Sequence, residues 1–261
     1  MKRILVVSDL HTGSNVALMP DEVVIEPSDK QRAQKIEANI LQKSLFKNWQ
    51  TMIDDVGRVD GCFVLGDSCD GSNQKSRGFE LWTSNLHQQV STAVDLLSMI
   101  RTNRYYGVQG SYYHVGENTS SDLAVIESLE KCKTSFGTDL VVTVGGKRMH
   151  LAHEISFSQS PVSKFTALQR ELTNATIYKQ FFGTFDLILR GHIHESRMIQ
   201  DVHGLVAVAP CWKMRDAYAA KKGLSIAPQI GYLLLTIGNE IDVEIHRFPY
   251  SSEKLFKEVT L

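Results

Sequence analysis

Cysteine is scarce in the 261 residues: Cys62, Cys69, Cys132 and Cys211 are the only four, and no two form a CxxC pair. That spacing excludes a structural zinc site and a disulfide framework. Net charge is equally small, because 28 basic residues against 29 acidic ones leave a formal value of -1. The broad basic excess of proteins that hold nucleic acid by counterion release is therefore missing. Nucleic acid stays open as a substrate, since bound cations supply positive charge locally. Long apolar runs are missing too. Lys2 and Arg3 precede only the four residues Ile4 to Val7, far too short for a signal peptide, and no later stretch reaches the length of a membrane span. Unpaired thiols and these absences make a cytosolic location with no membrane partner the expectation. No repeat, linker or low-complexity tract interrupts the chain. Hydrophobic residues at 43% and charged residues at 22% are ordinary globular values. One domain spanning 1–261 is expected, near the upper size of a single core.

What is present is a succession of short apolar runs, each followed by polar residues and then by a helical period. Ile4 to Val7 reads as a buried strand ending at Asp9. Residues 12–27 have no clear period and contain Gly13, Pro20 and Pro27, which predicts a loop over the strand's end. A first helix is predicted over 28–56, with Ser28 and Gln31 as a capping box. A strand at 62–65 ends in Gly66 and Asp67, and Phe79, Trp82, Leu86, Val90, Val94, Leu97 and Ile100 mark a second helix. There follow a strand at 104–108, a helix at 121–132, a hairpin over 140–152 turning at Gly145 and Gly146, and a helix from Ser160 to Phe182. Strands are predicted at 185–189 and 206–208, with a last hairpin of 232–237 and 241–247 around Gly238 and Asn239. Alternating strands and helices followed by hairpins imply an α/β protein with a mixed sheet, or two stacked mixed β-sheets between helices.

The residues able to carry chemistry come directly after these runs, where α/β proteins place their ligands. Asp9 and His11 follow the first strand, Asp67 the second, His153 the hairpin, and His192 and His194 the strand at 185–189. Asp9 with His11, and His192 with His194, are two apart in extended chain and point to one side. Mixed imidazole and carboxylate donors suit manganese, iron or zinc better than magnesium or calcium. A carboxylate such as Asp67 can bridge two cations, the usual clamp for phosphate ester hydrolysis, with water held between them as the hydroxide nucleophile. Taken singly, Asp70, Glu117, His150 and Glu195 read as caps or ordinary hydrogen-bonded residues.

The ordered set resembles the calcineurin-like metallophosphoesterases, whose motifs run DxH, GDxxD, GNH with an acidic residue, a separate His, and GHxH. Here they read Asp9-Leu-His11, Gly66-Asp67-Ser-Cys-Asp70, a variant at Gly110, then His153, and Gly191-His192-Ile-His194. The resemblance implies a four-layer α-β-β-α sandwich. It implies one divalent transition metal on Asp9, His11, Asp67 and His194, and a second on Asp67, His153 and His192, with manganese expected and iron or zinc as alternatives. The third motif departs from the pattern and is similar to phage-type members: Gly110-Ser111-Tyr112-Tyr113-His114 replaces Gly-Asn-His. Ser111 is then a weak ligand, so weaker binding is expected at the second site, and Asp70 is a second weak or supporting group. His114 is the candidate general acid.

Tyr105, Tyr106, Tyr112 and Tyr113 cluster near one strand end, and Trp212, Lys213 and Arg215 follow Pro210. Tyr113 and Trp212 are candidate substrate contacts, because aromatics beside cations stack on bases and hold phosphates. Core packing of some aromatics, with Lys213, Arg215, Lys221 and Lys222 on a solvated face, is an equal reading. The leading expectation is a phosphodiesterase acting on nucleic acid or a small nucleotide. A phosphomonoesterase, including a protein phosphatase, and a non-catalytic scaffold with a retained metal site are the alternatives. No pattern specifies an oligomeric state.

Overall fold

The computed structural model describes residues 1–25, 34–72, 78–114, 120–130, 132–156, 163–222 and 228–249. In chain order the first elements are β1 (Lys2–Val7), β2 (Glu22–Ile25), β3 (Gln34–Glu37), α1 (Ile40–Val56), β4 (Gly61–Val64), α2 (Leu86–Ser98), β5 (Arg104–Val108), α3 (Ser121–Glu127) and β6 (Lys133–Gly137). They are followed by β7 (Asp139–Val144), β8 (Lys147–Ala152), α4 (Thr166–Ile177), α5 (Lys179–Phe182), β9 (Leu187–Arg190), β10 (Arg197–Asp201), β11 (Gly204–Val208), α6 (Ala217–Lys222), β12 (Gly231–Ile237) and β13 (Ile241–Arg247).

The apolar runs pair into two mixed sheets. One has the order β13, β12, β1, β4, β5, β6, and the other β10, β11, β9, β8, β7. In the first, β1, β4, β5 and β6 are parallel, and β12 lies antiparallel against β1 with Val6 opposite Leu233. In the second, β8, β9 and β11 are parallel, flanked by antiparallel β7 and β10. Continuous burial of Ile4 to Val7 in β1, of all of β4 and of Leu187 to Leu189 in β9 explains why these runs are not apolar at every second position only. Ile4, Val6, Phe63 and Leu65 of one sheet meet Met149, Leu151, Leu187 and Leu189 of the other in a core between them. The opposite faces bear the helices. Leu45, Trp49, Met52, Val90, Leu96 and Val125 cover the first sheet, and Leu168 and Leu172 cover Ile188, Val206 and Val208 of the second. The result is the expected four-layer α-β-β-α sandwich. Parallel strands of both sheets end at their carboxyl termini in one region, which positions the site.

Several expected boundaries move. The first helix starts at Ile40, where Asn39 and Gln42 form the capping box: Asn39 Oδ1 accepts from the Gln42 amide at 3.0 Å and Gln42 Oε1 from the Asn39 amide at 3.0 Å. Ser28 and Gln31 lie outside the described residues, as do Ser160 and Glu117. Residues 22–25 and 34–37 instead pair as a small antiparallel ribbon, its exposed alternation too short to give a period. The second helix begins at Leu86, capped by Asn85, since Phe79 is exposed and Trp82 only half-buried in the preceding turns. β6 and β10 carry no continuous apolar run because each is an edge strand with much of its surface in solvent. Residues 12–19 hold no helix or strand, as expected of a loop, and are largely buried, with Leu18 N–H donating to Trp212 O and Met214 N–H to Val16 O.

Candidate metal centre

The end of β1 supplies Asp9 and His11, that of β4 supplies Asp67, β8 is followed by His153, and β9 by His192 and His194. Asp9, His11, Asp67, His192 and His194, with φ between 48° and 74°, are the positive-φ residues other than glycine among the described residues. For residues with a Cβ such a backbone costs about 1–3 kcal/mol each and persists only where the surroundings fix it. They do so here. Asp9 N–H donates to Gly66 O at 3.1 Å, His11 N–H to Asp67 O at 2.9 Å, and His192 N–H to Asp9 Oδ2 at 3.1 Å. Gly110 and Gly191 make room for the carboxylates: a Cβ on Gly110 would strike Asp67 Oδ1, and one on Gly191 would come within 3.1 Å of Asp9 Oδ2.

The ligand atoms converge in two sets, Asp9, His11 and His194, and Asp67, His153 and His192, each with its atoms within 4.8 Å of one another. Asp67 stands between them, its Oδ2 being 3.0 Å from His153 Nε2 and 4.0 Å from His11 Nε2. His194 Nε2 lies 3.3 Å from Asp9 Oδ1. The imidazoles are held from behind. His153 Nδ1 donates to Leu65 O at 2.5 Å and His114 Nδ1 to Asp70 O at 2.8 Å; because a carbonyl only accepts, each ring keeps Nε2 for another partner, and that of His153 faces Asp67. His11 Nδ1 lies 2.9 Å from Asp70 Oδ1 in the same manner.

Asp9 Oδ1, His11 Nε2 and His153 Nε2 are buried with no hydrogen-bond partner. Burial opposes ionisation of Asp9, yet His11, His153 and His194 hold its carboxyl well below the usual range. Burial likewise opposes ionisation of Asp67, which His153 and His114 nevertheless hold low. Burial disfavours a charged His153, and Asp67 overrides it, lifting the imidazole to about 10. A proton there stands in for positive charge the carboxylates demand. His114 moves the other way, to about 4, through burial and the neighbouring His11.

Ser111 is turned onto Asp67: its amide donates to Oδ1 at 2.7 Å and its hydroxyl to Oδ2 at 3.0 Å. Asp70 is fully buried behind His11. His114, with His11 and Asp67, forms a third group of converging donors, and its ring lies 4.5 Å from that of His11. Tyr113 is 63% exposed in the turn before it.

Trp212 does not sit on the rim. It is 0% exposed, packed edge-on against Trp49 at 4.8 Å, and only its backbone serves the site, its N–H donating to Asp9 O at 3.0 Å. An apolar ring placed between α1 and the first sheet has no path to a substrate. Tyr105 is likewise a core residue, its hydroxyl donating to Leu97 O. Lys213, also readable as a solvated residue, is 3% exposed and ion-paired to Asp70 at 2.8 Å and Asp216 at 3.0 Å. Asp122, unremarkable in sequence, accepts from the amides of Ser68 and Gly110 at 2.9 Å each and so ties two ligand-bearing loops together.

No family model and no curated protein matches the chain. Among solved structures it is similar to Vps29 of Entamoeba histolytica complexed with zinc (14% identity, 95% of this chain and 99% of that one, TM-score 0.46). It is also similar to an archaeal phosphodiesterase (11%, 94% and 99%, TM-score 0.47) and to Vps29 of Chaetomium thermophilum (12%, 95% and 97%, TM-score 0.48). In the order of its motifs and the convergence of their side chains at the strand ends, this chain resembles the calcineurin-like metallophosphoesterases.

Proposed function

We propose that the chain is a hydrolase of phosphate esters, with phosphodiesters of nucleic acid or a small nucleotide as the favoured substrates, acting with two divalent cations. The observation that carries this reading is a crowd of buried polar atoms: Asp9 Oδ1, His11 Nε2 and His153 Nε2 make no aligned hydrogen bond, and both ring nitrogens lie within 4.0 Å of Asp9 Oδ1. A hydrophobic core does not leave such groups unpaired, whereas a cation site requires it. The donor set of imidazoles and carboxylates fits manganese, iron or zinc. Bound cations supply Lewis-acid polarisation of the phosphate and lower the pKa of a water.

The residues of the chain divide the remaining work. Asp9, His11 and His194 hold one side of the cluster, His153 and His192 the other, and Asp67 joins them. Asp70, Leu65 O and Ser111 keep these groups oriented. His114, its Nδ1 fixed on Asp70 O, turns Nε2 toward the cluster, where it can protonate the leaving oxygen; the negative charge of an arriving phosphate ester favours its imidazolium form. Tyr113, exposed beside it, is placed to contact the group carried by that oxygen. Metal analysis of purified protein, combined with turnover of bis(p-nitrophenyl) phosphate, p-nitrophenyl phosphate, and fluorescent single-stranded DNA and RNA, tests the proposal. Bound transition metal with faster turnover of the diester is expected. Metal-free protein inactive on all four with added manganese overturns it.

A further inference from the structure

Lys213 is the feature that the proposed reaction leaves unexplained. Taking an ammonium out of water costs several kcal/mol, so a lysine at 3% exposure needs strong partners. It has two: Nζ lies 2.8 Å from Asp70 Oδ1 and 3.0 Å from Asp216 Oδ2. The same Asp70 oxygen is 2.9 Å from His11 Nδ1, so lysine and histidine grip one atom from two sides. Asp70 also carries His114 on its backbone carbonyl. The lysine is fixed in its turn, since its chain bridges to Ala17 and the preceding Trp212 N–H donates to Asp9 O. A phosphate-binding role is closed to an ammonium so buried and so partnered.

We infer that Lys213 is a positioning residue of the metal centre: by clamping Asp70 it sets the direction of the His11 ring and thereby the affinity of the Asp9, His11 and His194 site. The inference rests on the metal reading proposed above. A long apolar side chain at 213 would remove the ammonium that shares the Asp70 oxygen with His11, so that the direction of the His11 ring is set less firmly. Groups that orient a ligand from behind are typically worth 10–100-fold in metal affinity.

Calorimetric titration of metal-stripped protein with manganese, followed in parallel by the Mn2+ electron paramagnetic resonance signal, tests this in the wild type, Lys213→Met, Lys213→Arg and Asp216→Asn. One of two binding steps is expected to weaken about 10–100-fold in Lys213→Met, with the other unchanged. Lys213→Arg, which keeps the charge and can reach Asp70, is expected to recover most of the loss. Unchanged affinities in Lys213→Met, or equal weakening of both steps, overturn the inference while leaving the metal reading intact. Absence of any binding in the wild type overturns the metal reading and this inference with it. Should Lys213→Met fail to fold, Asp216→Asn decides, because loosening the lysine must still weaken the same single step.

Discussion

Asp67 differs from the other candidate ligands in belonging to both sides of the cluster, since its Oδ2 lies 3.0 Å from His153 Nε2 and 4.0 Å from His11 Nε2. Asp67→Asn removes the charge both sides share, whereas Ser111→Ala removes one hydroxyl that donates to it. Activity should fall below detection in Asp67→Asn and by about 10–100-fold at most in Ser111→Ala, a lost hydrogen bond to a charged group being worth roughly 1.5–3 kcal/mol while the Ser111 amide still donates to Oδ1. Equal losses, measured on bis(p-nitrophenyl) phosphate, would remove Asp67 from its joining role. His114→Ala is expected to lower turnover about 10²–10⁴-fold for esters with poor leaving groups, less for p-nitrophenolate, with metal content unchanged. Lost metal would make His114 a ligand; normal activity on every ester would return it to the loop.

The convergence of the six candidate ligands was legible in sequence because each follows an apolar run, so their order along the chain carried their placement. Trp212 and Lys213 were not, for one shared reason. An aromatic beside a cation after Pro210 looks alike on a surface and in a core, and the difference lies in partners far away in the chain. Trp212 needs Trp49 and Lys213 needs Asp70, and no local spacing encodes either contact.

At the level of elements, strands buried on both faces were readable, and so were the edge strands β7 and β13, which belong to hairpins with a glycine-containing turn; β6 and β10 were not, because they owe their conformation to a neighbour's hydrogen bonds more than to their own side chains. The helix starts at Asn39 and Asn85 were displaced for a related reason: several nearby residues are equally good caps, and packing selects one. One cluster between elements has a pH signature. His150 of β8 lies 3.1 Å from Arg190 of β9 and 3.2 Å from Asp139 of β7, with Glu171 of α4 paired to the same guanidinium. Burial and then Arg190 push its imidazole below 6.5, while the two carboxylates oppose them. The unfolded chain therefore binds the proton first as pH falls. Stability from this group is complete above about pH 6.5 and is lost as pH drops through the lower folded value. His150→Gln, which can still accept from Arg190 and donate to Asp139, should flatten the decline of Tm between pH 7 and 5 in metal-free protein. Parallel curves for the two proteins would rule out this histidine as a source of the acid sensitivity.

On the scale of the whole molecule, the cluster lies where the two sheets meet, for β1 and β4 bring candidate ligands from one and β8 and β9 from the other. A cation held there binds only the folded chain, and at 100 times its dissociation constant it adds about 2.7 kcal/mol. For a chain of this size manganese should raise Tm on the order of 5–10 °C over protein kept in EDTA, as read by differential scanning fluorimetry. A Tm indifferent to both manganese and zinc would mean that the cluster does not tie the sheets through an ion.

Val6 is hydrogen-bonded between a strand that follows it early, at Phe63, and one that is made late, at Leu233. During synthesis the strand bearing Asp9 therefore waits with one edge open until residues 231–237 have left the ribosome, and the sheet closes from its middle outward. Non-local pairing of this kind slows folding and leaves an apolar edge available to other chains in the interval. Asp9, the first candidate ligand translated, thus gains one backbone partner early, at Gly66, and the other only once Trp212 has been made.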